Sequence, residues 1–351
     1  MAKRKPHVIV GVDTHKDTHH AAVLNATGRV LADQQFPATT DGYRQLLDWI
    51  HQLGRPRQVG VEGTGSYGAG LARYLQSQSI AVIEVDRPDR KTRRAHGKSD
   101  PIDAIAAAQA VLSGRASGVP KSGTGPVEAI RVLRVTRASA VKARTAATNQ
   151  LHVLVTTAPE PLRDRIRNLR GARLVRACHQ LTANSAEHMT PVTATTTALR
   201  ILAERIKHLS TQISDLDRQL KSLVSQSAPR TVALFGVGPE TAGQLLTTAG
   251  DNPDRLHNEA AFAHLTGAAP IPASSGRTNR HRLNRGGDRA ANRALYAIVL
   301  TRLACDQRTQ RYLQRRTAEG LSNKEIIRCL KRYVAREVYI TLLADFAAMM
   351  S

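Results

Sequence analysis

Acidic residues, aromatics and cysteines are all scarce in this chain. Lys and Arg total 51 against 28 Asp and Glu, a net charge of +23. So lopsided a balance exceeds what a merely solvated surface needs. It points to nucleic acid, where neutralising phosphates releases counterions. Aromatics are only 3%, which leaves little for stacking platforms on single strands and puts contacts to the nucleic-acid backbone first. Three cysteines, Cys178, Cys305 and Cys329, stand far apart with no CxxC pair. They argue against a disulfide framework or a zinc site and suit a reducing cytoplasm, so a cytoplasmic, nucleoid-associated location is expected. No apolar run reaches the length of a spanning helix, and no signal peptide follows Lys3-Arg4-Lys5; no membrane partner is expected. A Walker GxxxxGK[ST] loop and a strand–GxGxxG–helix fingerprint are both missing, which excludes the usual phosphate cradles.

Against this basic background the placement of a few acids is informative. The apolar run His7-Val8-Ile9-Val10-Gly11-Val12 reads as a buried strand and ends at Asp13. A second run, Gln58-Val59-Gly60-Val61, ends at Glu62. Asp100 and Asp103 lie three apart at the start of an alanine-rich helix, so their carboxylates share a face. A hard divalent ion such as Mg²⁺ takes oxygen ligands, and several carboxylates must converge to hold it on a phosphate. Strands are expected over Val8–Val12, His20–Leu24 and Arg29–Phe36, then a helix over Tyr43–Leu53, the strand to Glu62, a helix over Gly68–Gln76, and a strand Ile80–Val85. That order, followed by the helix with the last two acids, is the order of a ribonuclease H-like α/β domain with a mixed sheet. Thr64 and Ser66 are expected to support Glu62. His15, His19 and His20 lie near Asp13, but without a matching Cys or His cluster they are not assigned to a metal.

With 351 residues the chain has length for two or three domains. The expected boundaries are 1–125 for the nuclease domain, 126–227 for a basic helical region, and 228–351 for a mainly α C-terminal domain. The loop ahead of Asp100 carries Arg90, Lys91, Arg93, Arg94 and Lys98, a candidate phosphate guide or an ordinary solvated loop. Ser113–Pro126 reads as a linker. Residues 131–180 hold eleven Arg or Lys against two acids, so a helical face there is basic. Leu199, Leu202, Ile206, Leu209, Ile213, Leu216, Leu220 and Leu223 alternate three and four apart, the a/d pattern of a coiled coil, or of an antiparallel hairpin inside one chain. In Phe235-Gly236-Val237-Gly238, Gly236 and Gly238 precede a helix as in a helix-hairpin-helix, whose amides cradle a phosphate. Ser275-Gly276 stands at the head of a run including Arg277, Arg280, Arg282 and Arg285. The serine reads either as a nucleophile toward phosphate steadied by arginines or as a plain turn residue.

Taken together these residues resemble the DEDD transposases of bacterial insertion sequences, the insertion sequence 110/1111 family. Gly11-Val12-Asp13-Thr14-His15-Lys16 is similar to the first acidic motif of that family, Val61-Glu62-Gly63-Thr64-Gly65-Ser66-Tyr67 to the second, and Lys98-Ser99-Asp100-Pro101-Ile102-Asp103-Ala104 to the third. The C-terminal part resembles the family through Gly236-Val237-Gly238-Pro239-Glu240-Thr241-Ala242, Ser275-Gly276 and Arg293-Ala294-Leu295-Tyr296. The resemblance implies a RuvC-like domain, a coiled-coil middle and a C-terminal domain with a catalytic serine. By it, Asp13, Glu62, Asp100 and Asp103 would be the metal tetrad and Ser275 the nucleophile. It also implies a structured noncoding guide RNA that pairs with donor and target DNA.

The expected activity is DNA recombination by an insertion-sequence transposase using Mg²⁺ and a serine, acting as a dimer or tetramer because two strands must be cut close together. Two other classes fit part of the pattern. A junction-resolving RuvC-like nuclease would use the same acids with water as nucleophile. A non-catalytic nucleic-acid scaffold would explain the charge but not the four placed acids.

Overall fold

The computed structural model describes residues 5–85, 99–182, 190–252, 255–277 and 280–350. The chain divides into two compact units, one of residues 1–125 with 248–286, the other of 126–247 with 287–351. The stretch 248–286, which carries Ser275 and was expected within a C-terminal domain, therefore groups with the amino-terminal part.

In the first unit, strands β1 (His7–Thr14), β2 (Thr18–Asn25) and β3 (Val30–Pro37) form an antiparallel meander. Helix α1 (Thr40–Leu53) leads to β4 (Arg55–Glu62), and α2 (Ala69–Ser77) to β5 (Val82–Val85). Strand β4 pairs parallel with β1, and β5 parallel with β4, so the sheet order is β3-β2-β1-β4-β5. The mixed sheet and its order of elements are those expected.

Period-two alternation sends Val8, Val10 and Val12 of β1, with Val59 and Val61 of β4, into a core shared with Leu46 and Ile50 of α1 and Leu71 and Leu75 of α2. Helix α3 (Asp100–Leu112) covers the opposite face. Its Ala107, Ala108 and Val111 pack with Ile9, Leu24, Ile83 and Val85. This approach is unusually close. A Cβ on Gly11 would lie 2.2 Å from the Ala104 carbonyl oxygen and 2.2 Å from the Ala108 nitrogen. A Cβ on Gly60 would meet the Val111 side chain at 2.6 Å. Gly11 and Gly60 are register partners in β1 and β4, so together they form a smooth bed for an alanine-faced helix.

The return segment of this unit holds α10 (Glu259–Leu265) and a two-stranded hairpin of β6 (Ile271–Pro272) and β7 (His281–Arg282). It is clasped to the first segment by Asp251. That carboxylate accepts hydrogen bonds from the Ser122 hydroxyl and from the backbone N–H groups of Gly123, Thr124 and Gly125, at 3.1, 3.2 and 2.9 Å for the three amides. The expected linker 113–126 is thus partly fixed.

The second unit is helical. Helix α4 (Pro126–Thr157) is followed by α5 (Glu160–Ile166), α6 (Gly171–His179) and the long α7 (Pro191–Ser227). The α7 repeat buries Leu199, Ala203, Ile206, Ile213, Leu220 and Val224. These residues face α4 of the same chain. Arg137 pairs with Asp217, while Ala147, Leu151 and Val155 share a core with Leu199, Ala203 and Ile206, so the two helices run antiparallel. The intrachain hairpin thus accounts for the buried half of the seam, and Leu202, Leu209, Leu216 and Leu223 stay half-buried. Short α8 (Pro229–Val232) and α9 (Pro239–Ala249) follow, then α11 (Arg289–Cys305), α12 (Gln307–Ala318) and α13 (Asn323–Met350). Asp345 of α13, fully buried, accepts from the N–H of Thr231 at 2.9 Å and from its hydroxyl at 2.7 Å. Among the described residues no helix is long and apolar enough to cross a membrane.

Candidate metal centre

The acids at the strand ends are aimed by the same alternation that builds the core. Ile9, Gly11 and Asp13 lie on the α3 face of β1, and Gly60 and Glu62 on that face of β4. With Gly11 opposite Gly60 and Val12 opposite Val61, Asp13 and Glu62 emerge at neighbouring carboxyl ends of parallel strands. The Thr14 hydroxyl donates to the Glu62 carbonyl at 2.8 Å and ties the two ends together. Beyond Glu62 the chain turns through Gly63, whose φ of +66° lies in the left-handed region.

Helix α3 brings the other two acids in its first turn, where the partial positive charge of the helix amides favours carboxylates. Asp103 is buried and its amide donates to the Ser99 carbonyl at 3.0 Å. Asp100 is half-exposed. Asp13 is buried at the focus. Burial pushes its carboxyl above the ordinary aspartate value. The charge of His15 opposes that rise, and the carboxylates of Asp103 and Asp100 add to it. A cation among these acids would relieve the repulsion, so the donor set fits a divalent ion.

One ring in this cluster was not assigned from sequence. His15 Nε2 lies 3.1 Å from Asp13 Oδ2 and 3.2 Å from Asp100 Oδ1. The ligand atoms of Asp13, His15 and Asp100 all lie within 4.8 Å of one another. The sequence offered only its nearness to Asp13: β1 ends at Thr14, and the turn that follows decides where the ring goes. The neighbouring histidines are engaged elsewhere. His19 is fully buried, stacks on Tyr43 and has its Nδ1 3.0 Å from the Thr18 carbonyl. His20 sits 2.7 Å from Asp33.

Thr64 serves a different acid from the one expected. Its hydroxyl donates to Glu84 Oε1 at 2.7 Å, and the Ser66 hydroxyl donates to the Gly63 carbonyl at 3.1 Å. Glu84 also meets Arg255 at 3.5 Å, a link between β5 and the return segment that the sequence reading missed.

Ser275 is exposed near the tip of the β6–β7 hairpin, next to Gly276 with φ of +55°. Ser274 is used within the hairpin, accepting from the Arg280 amide at 3.2 Å. Arg277, Arg280, Arg282 and Arg285 are all exposed. Arg90, Lys91, Arg93, Arg94 and Lys98 lie outside the described residues. In the helical unit Gly236 has φ of +79°, and the Gly238 amide donates to the Thr241 hydroxyl at 3.0 Å at the start of α9. That amide is thus already engaged within the chain.

Comparison with known proteins agrees with this layout. A model for DEDD transposases of the IS110 type, described as "Transposase", matches residues 10–159. A second, "Transposase IS116/IS110/IS902 family", matches residues 228–314. The transposase for insertion sequence element IS1328 of Yersinia enterocolitica is 28% identical over 82% of this chain and 81% of its own length. The IS900 42 kDa protein of Mycobacterium paratuberculosis is 26% identical over 48% of this chain, and the IS110 43.6 kDa protein of Streptomyces coelicolor 30% identical over 37%. Those two matches span 43% and 33% of the relatives' own lengths. The first model covers Asp13, Glu62, Asp100 and Asp103, and the second covers Ser275 and the arginines around it. Two models of one family, in order and together spanning about two thirds of the sequence, show that the chain belongs to the IS110 family of DEDD transposases.

Proposed function

We propose that the protein cuts and rejoins the DNA of an insertion sequence, with the Asp13, Glu62, Asp100 and Asp103 carboxylates holding Mg²⁺ and Ser275 as nucleophile. The observation that carries this reading is the convergence of Asp13 and Asp100 beside a buried Asp103, with Glu62 at the adjoining strand end. The strand order and the helix laid over the carboxyl ends of β1 and β4 support a ribonuclease H-like, RuvC-like domain.

When bound, the ion would polarise the scissile phosphate and offset its growing charge. The chain's own groups do the rest. The Ser275 oxygen forms a bond to phosphorus as the strand's P–O bond breaks, and the departing strand oxygen takes up a proton to leave a free hydroxyl. A hydroxyl of the recipient strand reverses the step, releasing Ser275, so bond energy is conserved and no triphosphate is consumed. Arg277, Arg280, Arg282 and Arg285 neutralise phosphate charge around the serine. Membership of serine and acids in one compact unit favours their joint use. The DNA is bound with a structured noncoding guide RNA that pairs with donor and target, inferred from the family, and the protein acts as a homo-oligomer because two strands must be cut close together.

The test is recombination in cells on a plasmid carrying the gene with its native flanks, read by sequencing excision and insertion junctions. Asp13→Ala and Ser275→Ala are each expected to abolish precise junctions while RNA and DNA binding persists. Loss in Asp13→Ala alone would replace the serine mechanism with a water-using nuclease. Full recombination by Asp13→Ala would remove the metal role.

A further inference from the structure

The two acids beside His15, Asp13 and Asp100, explain the site's charge but not the ring's position. Strand β1 ends at Thr14, and the chain turns back at once, the His15 amide donating to the Thr18 carbonyl at 3.0 Å. Thr14 points the other way, toward the Glu62 carbonyl. His15 therefore returns to the side of Asp13, two residues earlier, and its Nε2 sits between Asp13 Oδ2 and Asp100 Oδ1 at nearly equal distances, 3.1 and 3.2 Å. As a simple hydrogen-bond donor, Nε2 has one proton for two carboxylates. As a lone-pair donor, with the proton on Nδ1, it has the same spacing from each oxygen that ligands around one ion have. At metal–ligand distances of about 2.0–2.2 Å, neighbouring donors on one ion lie roughly 3 Å apart.

We propose that His15 is a nitrogen ligand of the divalent ion held between Asp13 and Asp100, making the centre a mixed nitrogen–oxygen site. This rests on the metal reading above and extends it to a residue outside the acidic tetrad. The chemistry has a consequence. Carboxylates serve Mg²⁺, Ca²⁺ and Mn²⁺ alike, but a first-row transition ion takes an imidazole nitrogen more readily than Mg²⁺ does, so this chain is expected to favour Mn²⁺ over Mg²⁺ more strongly than carboxylates alone would. The other histidines of the motif are not available, because His19 is enclosed in the core and His20 is held by Asp33.

Mn²⁺ itself is the probe. The full chain, loaded with Mn²⁺, would be measured by electron spin-echo envelope modulation, which detects ¹⁴N bound directly to the ion. Wild type is expected to show imidazole modulation, altered by ¹⁵N-histidine labelling and lost in His15→Ala. Titration followed by electron paramagnetic resonance should show His15→Ala weakening Mn²⁺ at least about tenfold, with a smaller loss for Mg²⁺ by competition. Mn²⁺ bound in an Asp13-dependent way without nitrogen modulation would overturn the His15 assignment and leave the carboxylate site standing. Absence of any Asp13-dependent Mn²⁺ binding would overturn both. The wild-type spectrum decides the point even if a variant folds poorly.

Discussion

Asp251 and Asp13 show how one residue type is driven in opposite directions by its surroundings. For Asp251, burial alone would raise the carboxyl, but the Ser122 hydroxyl and the amides of Gly125 and Gly123 outweigh it and hold the group below the ordinary value. A depressed folded value contributes stability that is fully present above the unfolded value near pH 4, and that stability is lost as pH falls through the folded value. Asp251→Asn is therefore expected to cost about 2 kcal/mol at pH 7, and the gap to wild type should narrow on acidification below pH ~4. Urea unfolding at pH 7 and pH 3 measures both; an equal gap at the two pH values would remove the clasp's electrostatic role. Asp13 lies at the other extreme, raised by burial and neighbouring carboxylates. Its place, with those of Glu62, Asp100 and Asp103, was legible because strand ends and helix spacing are written in local sequence. The roles of His15 and Glu84 were not, because each depends on where a turn or a distant segment returns.

At the scale of elements, helix α3 is seated by what two strands lack. Gly11→Ala would drive a methyl into the backbone of Ala104 and Ala108, neither of which can yield without moving the helix. The expected cost is at least about 3 kcal/mol, with loss of metal affinity because Asp100 and Asp103 travel with α3. Thermal unfolding and Mn²⁺ titration of Gly11→Ala would check this, and a fully stable variant with wild-type affinity would deny the helix its positioning role. The succession of strands and helices along the chain was readable from alternating apolar runs. The partner of the leucine seam was not. A heptad pattern buries the same way against a second chain or against its own, and here α4 takes the place facing Leu199, Ile206, Ile213 and Leu220.

For the whole molecule, the half-buried side of that seam gives the oligomer proposal its test. Leu202, Leu209, Leu216 and Leu223 remain half-buried on α7, with Ile201 53% exposed beside them. Leu209→Glu with Leu216→Glu is expected to reduce the mass measured by light scattering toward the monomer, with little change in unfolding temperature. An unchanged mass would move self-association to another surface. The division of the chain was the least legible feature, because residues 248–286 are rich in short turns and carry no periodicity to say where they pack. Yet this routing has a consequence for how the protein can be taken apart. The polypeptide leaves the first unit after Gly125 and re-enters it at Thr248, so the whole stretch between is an insertion. A break anywhere inside that insertion would put Asp13 and Ser275 on separate polypeptides that still share one folded body, held by the grip of Asp251 on residues 122–125. The proposed chemistry is by topology a two-piece assembly, suited to reconstitution from separately encoded halves.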